Sequence, residues 1–242
     1  MVVLPICSMI CINSSVGLRG RKGRTEAGSM KSIGLKLVLA AVVAIAFASV
    51  GRTAERSVTP NRDFAAKLQY CKTCHGLSGQ GFRGAYPMPR LAGQQPEYLQ
   101  NQLRAFMERR RTNPVMFNVA HVLSPSMVTA LAAYFKDLDP KPLRGAPVGL
   151  AAAGKQIYQE GIAGTDVPPC ASCHGSEARG QGAFPRLAGQ LHDYVLNKLV
   201  NWSRERGQDP ARPDTSAIME PIAHGLTEQQ IAAVAAYLSY LE

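Results

Sequence analysis

The sequence lacks several features that mark particular protein classes. Its 22 glycines and 16 prolines among 242 residues are too few and too unpatterned for a collagen-like or wholly low-complexity chain. No segment of useful length alternates between apolar and polar residues, so half-buried β-strands are not expected. Hydrophobic residues at 46% and charged residues at 18% are typical of a globular protein. The chain is therefore expected to be globular and all-α, and it is long enough for one or two domains.

Residues 1–54 are typical of a leader for export. Lys31 and Lys36 precede an uncharged apolar run at 37–50, which is the order found in a secretory signal peptide. That run is shorter than the roughly 20 residues needed to span a bilayer. We expect translation to start at Met30 and the protein to reach the periplasm, with a retained N-terminal anchor as the alternative.

The net charge depends on which residues survive processing. The whole chain carries 27 Lys and Arg against 17 Asp and Glu, and its formal charge of +10 is typical of proteins with an anionic partner. Residues 1–54 hold seven of the basic residues and one acidic residue, so the exported chain is only +4. That small charge, the predicted export and a single tryptophan together argue against nucleic acid as a partner.

The exported chain consists of two copies of one unit. Four short motifs recur in the same order in both halves: CKTCHG at 71–76 and CASCHG at 170–175, GQG at 79–81 and 180–182, PRLAGQ at 89–94 and 185–190, and MFNVAH at 116–121 with MEPIAH at 219–224. Each unit has the length of a domain, which excludes a solenoid of short repeats. The pattern therefore predicts a duplicated domain.

A segment rich in proline and glycine, residues 139–149, separates the two halves and predicts an extended linker. We place the boundary near residue 145, which gives one domain at 55–144 and a second at 145–242. The first carries 13 basic and 6 acidic residues, and the second carries 7 and 10. The molecule is therefore expected to be a charge dipole with a basic first half.

Apolar residues at helical spacing predict matching helices in the two halves. The middle helix has the apolar stripe Leu99, Leu103 and Phe106 in the first half, and Val195, Leu199 and Trp202 in the second. The last helix has Val128, Leu131, Phe135 and Leu138 in the first half, and Ile231, Val234, Leu238 and Leu241 in the second. Ser124 with Pro125, and the capping box Thr227–Gln230, predict where the last helices begin. Two shorter helices are expected before the cysteines, at 63–70 and 151–160.

The sequence Cys-x-x-Cys-His is the attachment signature of c-type haem. It occurs at Cys71, Cys74 and His75 and again at Cys170, Cys173 and His174. Two thiols at this spacing form thioethers to the porphyrin, and the adjacent histidine becomes the proximal iron ligand. A redox-active dithiol is disfavoured because no βαβ pattern surrounds the motif, and a zinc site or two disulfides would leave both histidines unexplained. We therefore predict two covalently attached haem c groups.

The repeat also predicts the second axial ligand of each iron. Met219 is the one methionine in residues 145–242 and its repeat mate is Met116, which favours a methionine ligand for both haems. His121 and His224 also match each other, so a bis-histidine site is the alternative. Residues without a repeat mate are not predicted to bind iron. We expect Met88, Met107 and Met127 to pack in the core and His192 to lie on the surface.

With these motifs the chain resembles the cytochrome c4 family, the dihaem class I c-type cytochromes, over essentially all of residues 61–242. The resemblance implies two tandem class I cytochrome c domains related by pseudo-twofold symmetry, with each iron bound by histidine and methionine. It also implies that the carbonyl groups of Pro89 and Pro185 accept a hydrogen bond from the proximal histidines.

Two departures from the family pattern concern packing. Ala66 stands where the second half has Gly154 in its first helix. The second half also has extra residues before Cys170 and before Met219. We expect these differences to alter helix packing and loop shape, and to leave iron ligation unchanged.

The resemblance implies a periplasmic electron carrier, loosely associated with the membrane, that works between a quinol-oxidising complex and a terminal oxidase. An iron with both axial positions filled performs no inner-sphere chemistry, so we predict that the chain is not an enzyme. A dihaem peroxidase needs an open iron position and is disfavoured. The alternative function is a haem-bearing electron-acceptor subunit of a periplasmic dehydrogenase, of the flavocytochrome or alcohol dehydrogenase type.

Overall fold

The computed structural model describes residues 60–206 and 215–242, which belong to one compact unit, Ser57–Glu242. The predicted leader, its start at Met30 and the alternative anchor lie outside the described residues. The α-helices are α1 (Pro60–His75), α2 (Pro96–Met107), α3 (Pro114–Ala120), α4 (Pro125–Lys136), α5 (Ala151–Glu160), α6 (Ala171–His174), α7 (His192–Val200), α8 (Trp202–Glu205), α9 (Met219–His224) and α10 (Glu228–Tyr240). Within the described ranges β-pairing is limited to isolated bridges, which confirms the all-α prediction.

Helix starts in the first half follow the sequence signals. Proline occupies the first position of α2, α3 and α4. An N–H at that position would have no acceptor within the helix, so proline, which lacks the N–H, costs no hydrogen bond there. Ser124 Oγ accepts a hydrogen bond from the Met127 N–H at 3.2 Å, as predicted for the start of α4. The prediction of a short helix at 63–70 is too short, because α1 continues through the cysteine motif until Gly76 ends it.

The second half divides the equivalent of α1 into two helices. The helix α5 has the predicted bounds and ends at Gly161, whose φ of 73° favours glycine. Residues 161–170 then form a loop, closed by a bridge between Ile162 and Val167, before α6 begins. These are the extra residues that the sequence shows before Cys170.

The prediction of one continuous middle helix in the second half is wrong. The helix α7 ends at Val200, and Asn201 separates it from α8, which begins at Trp202. The Asn201 side-chain amide donates to the Asn197 carbonyl at 3.0 Å, and its backbone leaves the helical region (φ −106°, ψ 23°). Local bonding of this kind offers the backbone an alternative to the helix.

Each half has its own core beneath its last helix. The predicted stripes supply most of these buried residues: Leu99, Val128, Leu131 and Phe135 in the first half, and Val195, Val234 and Leu238 in the second, joined there by Tyr158. Met107 and Met127 pack against the first core, as predicted. The capping box of Thr227 and Gln230 at the start of α10 is also confirmed.

Gly154 permits close packing of α5 on α10. A Cβ at this position would overlap the Ala233 carbonyl oxygen and approach the Tyr237 Cβ to 2.9 Å, whereas its counterpart in the first half, Ala66, is exposed. We expect Gly154→Ala to lower the free energy of unfolding by roughly 3 kcal/mol, despite the better helix propensity of alanine. Thermal unfolding measures this loss. Gly149→Ala is the control, because a Cβ there meets no neighbour within 4 Å; equal losses in both variants would contradict the packing explanation.

No single helix in the described ranges combines the length and apolar composition needed to cross a membrane. The consecutive helices α3 and α4 meet that criterion only when taken together, and the chain bends by 112° between them.

Candidate functional site

The two cysteine–histidine motifs lie at the ends of α1 and α6. The exposed thiols are those of Cys74 and Cys173, and the half-buried ones are those of Cys71 and Cys170. All four described thiols are free, and burial raises the pKa of Cys71 and of Cys170. Each pair therefore presents two unbonded sulfur atoms at the edge of its domain core, as thioether attachment requires.

The histidines of both motifs are buried and held in the same way. His75 Nδ1 lies 2.9 Å from the Pro89 carbonyl oxygen, and His174 Nδ1 lies 3.0 Å from that of Pro185. Because a carbonyl oxygen only accepts, Nδ1 carries the proton in both rings and Nε2 keeps its lone pair. Burial lowers the pKa of both histidines, with the proline contact acting in the opposite direction, so the rings stay neutral. A neutral imidazole of this tautomer is suited to bind a metal through Nε2.

A glycine follows each histidine because the chain turns there with positive φ. Gly76 has a φ of 84° and Gly175 a φ of 81°, values that residues with a Cβ rarely adopt. The Gly175 carbonyl accepts a hydrogen bond from the buried Tyr158 hydroxyl at 2.6 Å, which ties the turn to the second core. Each glycine thus allows the chain to turn directly after the buried histidine.

The predicted methionine ligands lie on short helices and are half-buried. Met116 is the third residue of α3, and its N–H donates to the Asn113 Oδ1 at 2.9 Å. Met219 is the first residue of α9, directly after a 3₁₀ turn at Thr215–Ile218. Part of the extra sequence before Met219, residues 207–214, lies outside the described residues.

The three remaining histidines make other contacts. His121 is exposed and stacks on Phe117, with ring centroids 5.2 Å apart. His224 is exposed, and its Nε2 lies 2.7 Å from Ser203 Oγ. The prediction that His192 lies on the surface is wrong: its side chain is only 15% exposed, and its Nδ1 lies 2.8 Å from Asp193 Oδ1.

The two PRLAGQ loops contact each other through a reciprocal pair of glutamines. Gln94 accepts from the Arg186 N–H at 2.7 Å and donates to the Arg186 carbonyl at 3.0 Å. Gln190 likewise accepts from the Arg90 N–H at 2.8 Å and donates to the Arg90 carbonyl at 3.0 Å. All four residues are buried. Each glutamine side chain therefore satisfies both backbone groups of an arginine in the other half, which is the pairing expected of pseudo-twofold symmetry.

Buried arginines outnumber carboxylates at this contact. Arg90 and Arg186 share one carboxylate, Asp139, at 3.1 and 3.5 Å, and that side chain is 64% exposed. Burial, with the neighbouring Arg186 acting in the same direction, lowers the pKa of Arg90 to about 10. The two guanidinium groups thus have one exposed carboxylate as their shared counter-ion, and they also donate to the carbonyls of Ala92, Pro140 and Ala188.

A second set of buried arginines crosses between the halves. Arg111 donates to the Tyr194 hydroxyl at 2.8 Å, and Arg206 is hydrogen-bonded to Tyr98, the repeat mate of Tyr194. Each guanidinium also lies over an aromatic ring of its own half, with Arg206 4.4 Å from the centroid of Trp202. Burial favours a higher pKa for Tyr194, but Arg111 and other cations outweigh it and lower the value. This region also concentrates positive charge.

These surroundings fit a haem in each half. Large apolar side chains stand exposed near each motif, among them Phe82 and Phe184, and a cavity of about 410 Å³ lined by Cys173 and Phe184 opens beside the second motif. The Trp202 Nε1 is buried and has no hydrogen-bond partner among the described residues. A porphyrin offers an apolar face to such side chains, and its two propionates would be further acceptors for this N–H and for the buried arginines.

A zinc site does not fit as well. In residues 60–206 and 215–242 no three His, Cys, Asp or Glu side chains converge as they do around a metal ion. The four described cysteines therefore do not form the cluster that a structural zinc would need.

Comparison with known proteins identifies the family. A Cytochrome c family model matches residues 151–242. Cytochrome c4 of Thiocapsa roseopersicina is 39% identical to this chain over 175 residues, which cover 71% of this chain and 86% of that protein. The chain belongs to the cytochrome c4 family. The solved structure of cytochrome c4 from Acidithiobacillus ferrooxidans aligns with a TM-score of 0.60 at 37% identity, covering 72% of this chain and 99% of that one.

A further relative bears a different name. The "thiosulfate dehydrogenase electron acceptor" of Thiomonas intermedia is 39% identical over 174 residues, which cover 70% of this chain and 77% of that protein. Within the cytochrome c4 family the protein is a dihaem electron-transfer cytochrome with covalently bound haem c, as predicted from its motifs. Its class I cytochrome c fold is likewise confirmed.

Sequence reasoning missed the residues that join the two halves. Gln94 and Gln190 close the PRLAGQ motif, the longest segment that is identical in both copies, and that identity was the available signal. The sequence indicated less clearly the pairs that Arg111 forms with Tyr194 and Arg206 with Tyr98 across the two halves. The tyrosines are repeat mates, but the arginines stand at different distances from Phe106 and Trp202.

Proposed function

We propose that His75 and Met116 are the axial ligands of the first haem iron and His174 and Met219 those of the second. The support is the repeated half-site: two neutral buried histidines with Nε2 available, each followed by a methionine at a matching place in its repeat. The alternative ligands, His121 and His224, are exposed and engaged with other groups. Thioether attachment belongs to the four cysteines, Cys71, Cys74, Cys170 and Cys173.

We further propose that residues 55–144 and 145–242 are separate cytochrome c domains that act together as an electron carrier without a substrate. Haem supplies a one-electron couple between ferric and ferrous iron. The chain keeps both axial positions filled, excludes water from the proximal histidines, and fixes the two domains through the glutamine pair. The observation that carries this function is the occurrence of the same histidine site, with a matching methionine, in both halves.

The carrier is proposed to work in the periplasm, loosely associated with the membrane, between a quinol-oxidising complex and a terminal oxidase. Homologues in the cytochrome c4 family are periplasmic c-type cytochromes, and the apolar run at 37–50 supports export of this chain. The test is electron transfer from a reduced quinol-oxidising complex, through this protein, to a purified oxidase. Oxygen consumption that does not depend on the added cytochrome would contradict this placement.

The first domain is proposed to be the docking face for an acidic partner. Exposed cations cover it, including Arg62, Arg83, Arg104, Lys136 and Lys141. We expect the second-order rate with the oxidase to fall at least tenfold as salt screens these charges. Stopped-flow kinetics across ionic strength measures the fall. Lys141→Glu should flatten the salt dependence, whereas Lys155→Glu, an exposed cation of the second domain, should leave it unchanged. Equal effects would reject the first domain as the docking face.

A second candidate is the electron-acceptor subunit of a periplasmic dehydrogenase. The observation that favours it is the 39% identical relative named as a thiosulfate dehydrogenase electron acceptor. The test mixes the ferric protein with a purified thiosulfate dehydrogenase and thiosulfate, and follows haem reduction. Rapid reduction, with stable co-purification of the two proteins, would favour this role. Reduction no faster than that of an unrelated cytochrome would reject it.

A further inference from the structure

Asn113 holds the backbone beside Met116 through two contacts. Its side-chain Oδ1 accepts a hydrogen bond from the Met116 N–H at 2.9 Å, and its carbonyl oxygen accepts one from the Phe117 N–H at 2.9 Å. Asn113 has the extended backbone of an N-cap residue (φ −162°, ψ 110°). One residue therefore fixes the two consecutive backbone groups at the point where α3 presents Met116.

The segment around Asn113 is anchored on both sides. Before it, the Thr112 N–H donates to the Glu205 carbonyl in the second half at 2.7 Å. After it, the Phe117 ring lies 3.9 Å from the guanidinium carbon of Arg109. Arg109 has a φ of 58°, which is uncommon for a residue with a side chain. Asn113 therefore links an anchor on the other domain to the helix turn that carries Met116.

The second half presents its methionine differently. The N-cap position before Met219 is occupied by Ile218, whose side chain has no hydrogen-bond acceptor. Met219 instead follows a 3₁₀ turn, and its helix is tied to Ser203 through Glu220 and His224. A change at Asn113 should therefore act on the first haem alone.

We propose that Asn113 is a positioning residue for Met116, and that its N-cap contact keeps this methionine on the first haem iron against competing ligands. The inference rests on the proposed axial ligation. We infer that the first turn of α3 moves with Met116 when the methionine leaves the iron, so that the Asn113 contact stabilises the bound state more than the detached one. Loss of that contact shifts the equilibrium towards the detached state.

The test is an imidazole titration of the ferric dihaem protein, followed by NMR. In the ferric protein the methyl resonance of an iron-bound methionine is shifted by the unpaired electron of the iron, and loss of one resonance in Met116→Ala or Met219→Ala assigns each signal. In Asn113→Ala we expect imidazole to displace Met116 at about fivefold lower concentration, the effect of one lost helix cap, with the Met219 midpoint unchanged. Asn113→Asp keeps an acceptor at the same place and should restore the original midpoint.

Ser124→Ala is the matched control in the same domain. Ser124 caps α4 through the Met127 N–H, so this variant loses the same kind of contact at a helix that carries no proposed ligand. If Ser124→Ala lowers the midpoint of the first haem as much as Asn113→Ala does, the effect is general destabilisation and the inference is overturned. If Met116→Ala leaves both methionine resonances in place, the proposed ligation itself is wrong. These two failures are therefore distinguishable.

Discussion

Met219→Ala is expected to open the second haem iron to carbon monoxide while the first haem stays closed. Met219 is the one methionine in residues 145–242, so its removal leaves that half without another methionine sulfur to replace it. A haem iron that keeps its histidine but has lost its sixth ligand is high-spin in the ferric state and binds carbon monoxide in the ferrous state. The reduced variant should therefore bind carbon monoxide at one of its two haems, and EPR of the oxidised variant should show one high-spin and one low-spin centre.

The independence of the two haems follows from their separate cores. The first core is formed by residues such as Leu131 and Phe135, and the second by Tyr158 and Leu238, so a change beside the second iron leaves the first core intact. Met116→Ala should give the reciprocal result. Met127→Ala is the control, because that half-buried methionine packs in a core and should alter stability without opening either iron. Opening of both haems in Met219→Ala would contradict independent ligation.

Gln190→Leu is expected to lower the free energy of unfolding by roughly 2–4 kcal/mol. The leucine keeps the approximate size of the side chain but leaves the Arg90 N–H and carbonyl, both buried, without their partners at 2.8 and 3.0 Å. For a chain of this size the loss corresponds to a fall in Tm of roughly 5–15 °C. Thermal denaturation of the holoprotein, followed by circular dichroism, measures it.

The symmetry of the glutamine contact provides a second variant for the same thermal denaturation experiment. Gln94→Leu should produce a similar loss, because Gln94 makes the equivalent two hydrogen bonds to Arg186. Gln156→Leu is the control, since the amide of Gln156 contacts only the side chain of Glu160 on an exposed helix face. If Gln190→Leu costs no more than Gln156→Leu, the glutamine pair does not stabilise the association of the two halves.

The repeat explains why much of this site was predictable. Residues proposed to bind the haem are expected to keep the same chemistry in both copies, so the cysteines, the histidines and the methionines stand out by comparing the chain with itself. Pro89 and Pro185 belong to the same repeated loops, and their carbonyls do contact the proximal histidines. Helix caps such as Thr227 were also readable, because a cap depends on residues that are neighbours in sequence.

The features that escaped prediction depend on side-chain contacts that the spacing of apolar residues does not encode. The break at Asn201 follows from a side chain that bonds its own backbone, and apolar spacing alone continues the helix to Trp202. The pairing of Arg111 with Tyr194 joins residues 83 positions apart, and neither residue type signals a partner. The half-buried position of His192 is likewise not signalled by its neighbours in the sequence.

The central claim is that the chain holds two haems, each with histidine and methionine on the iron, and it is tested most directly by spectroscopy of the wild-type protein. The measurement combines optical absorption and EPR of the ferric protein with carbon monoxide addition to the ferrous form. We predict two low-spin haems, the methionine-to-iron charge-transfer band, and no carbon monoxide binding. A high-spin centre, or a haem that binds carbon monoxide, would contradict the claim and would point to an open iron that acts on a substrate.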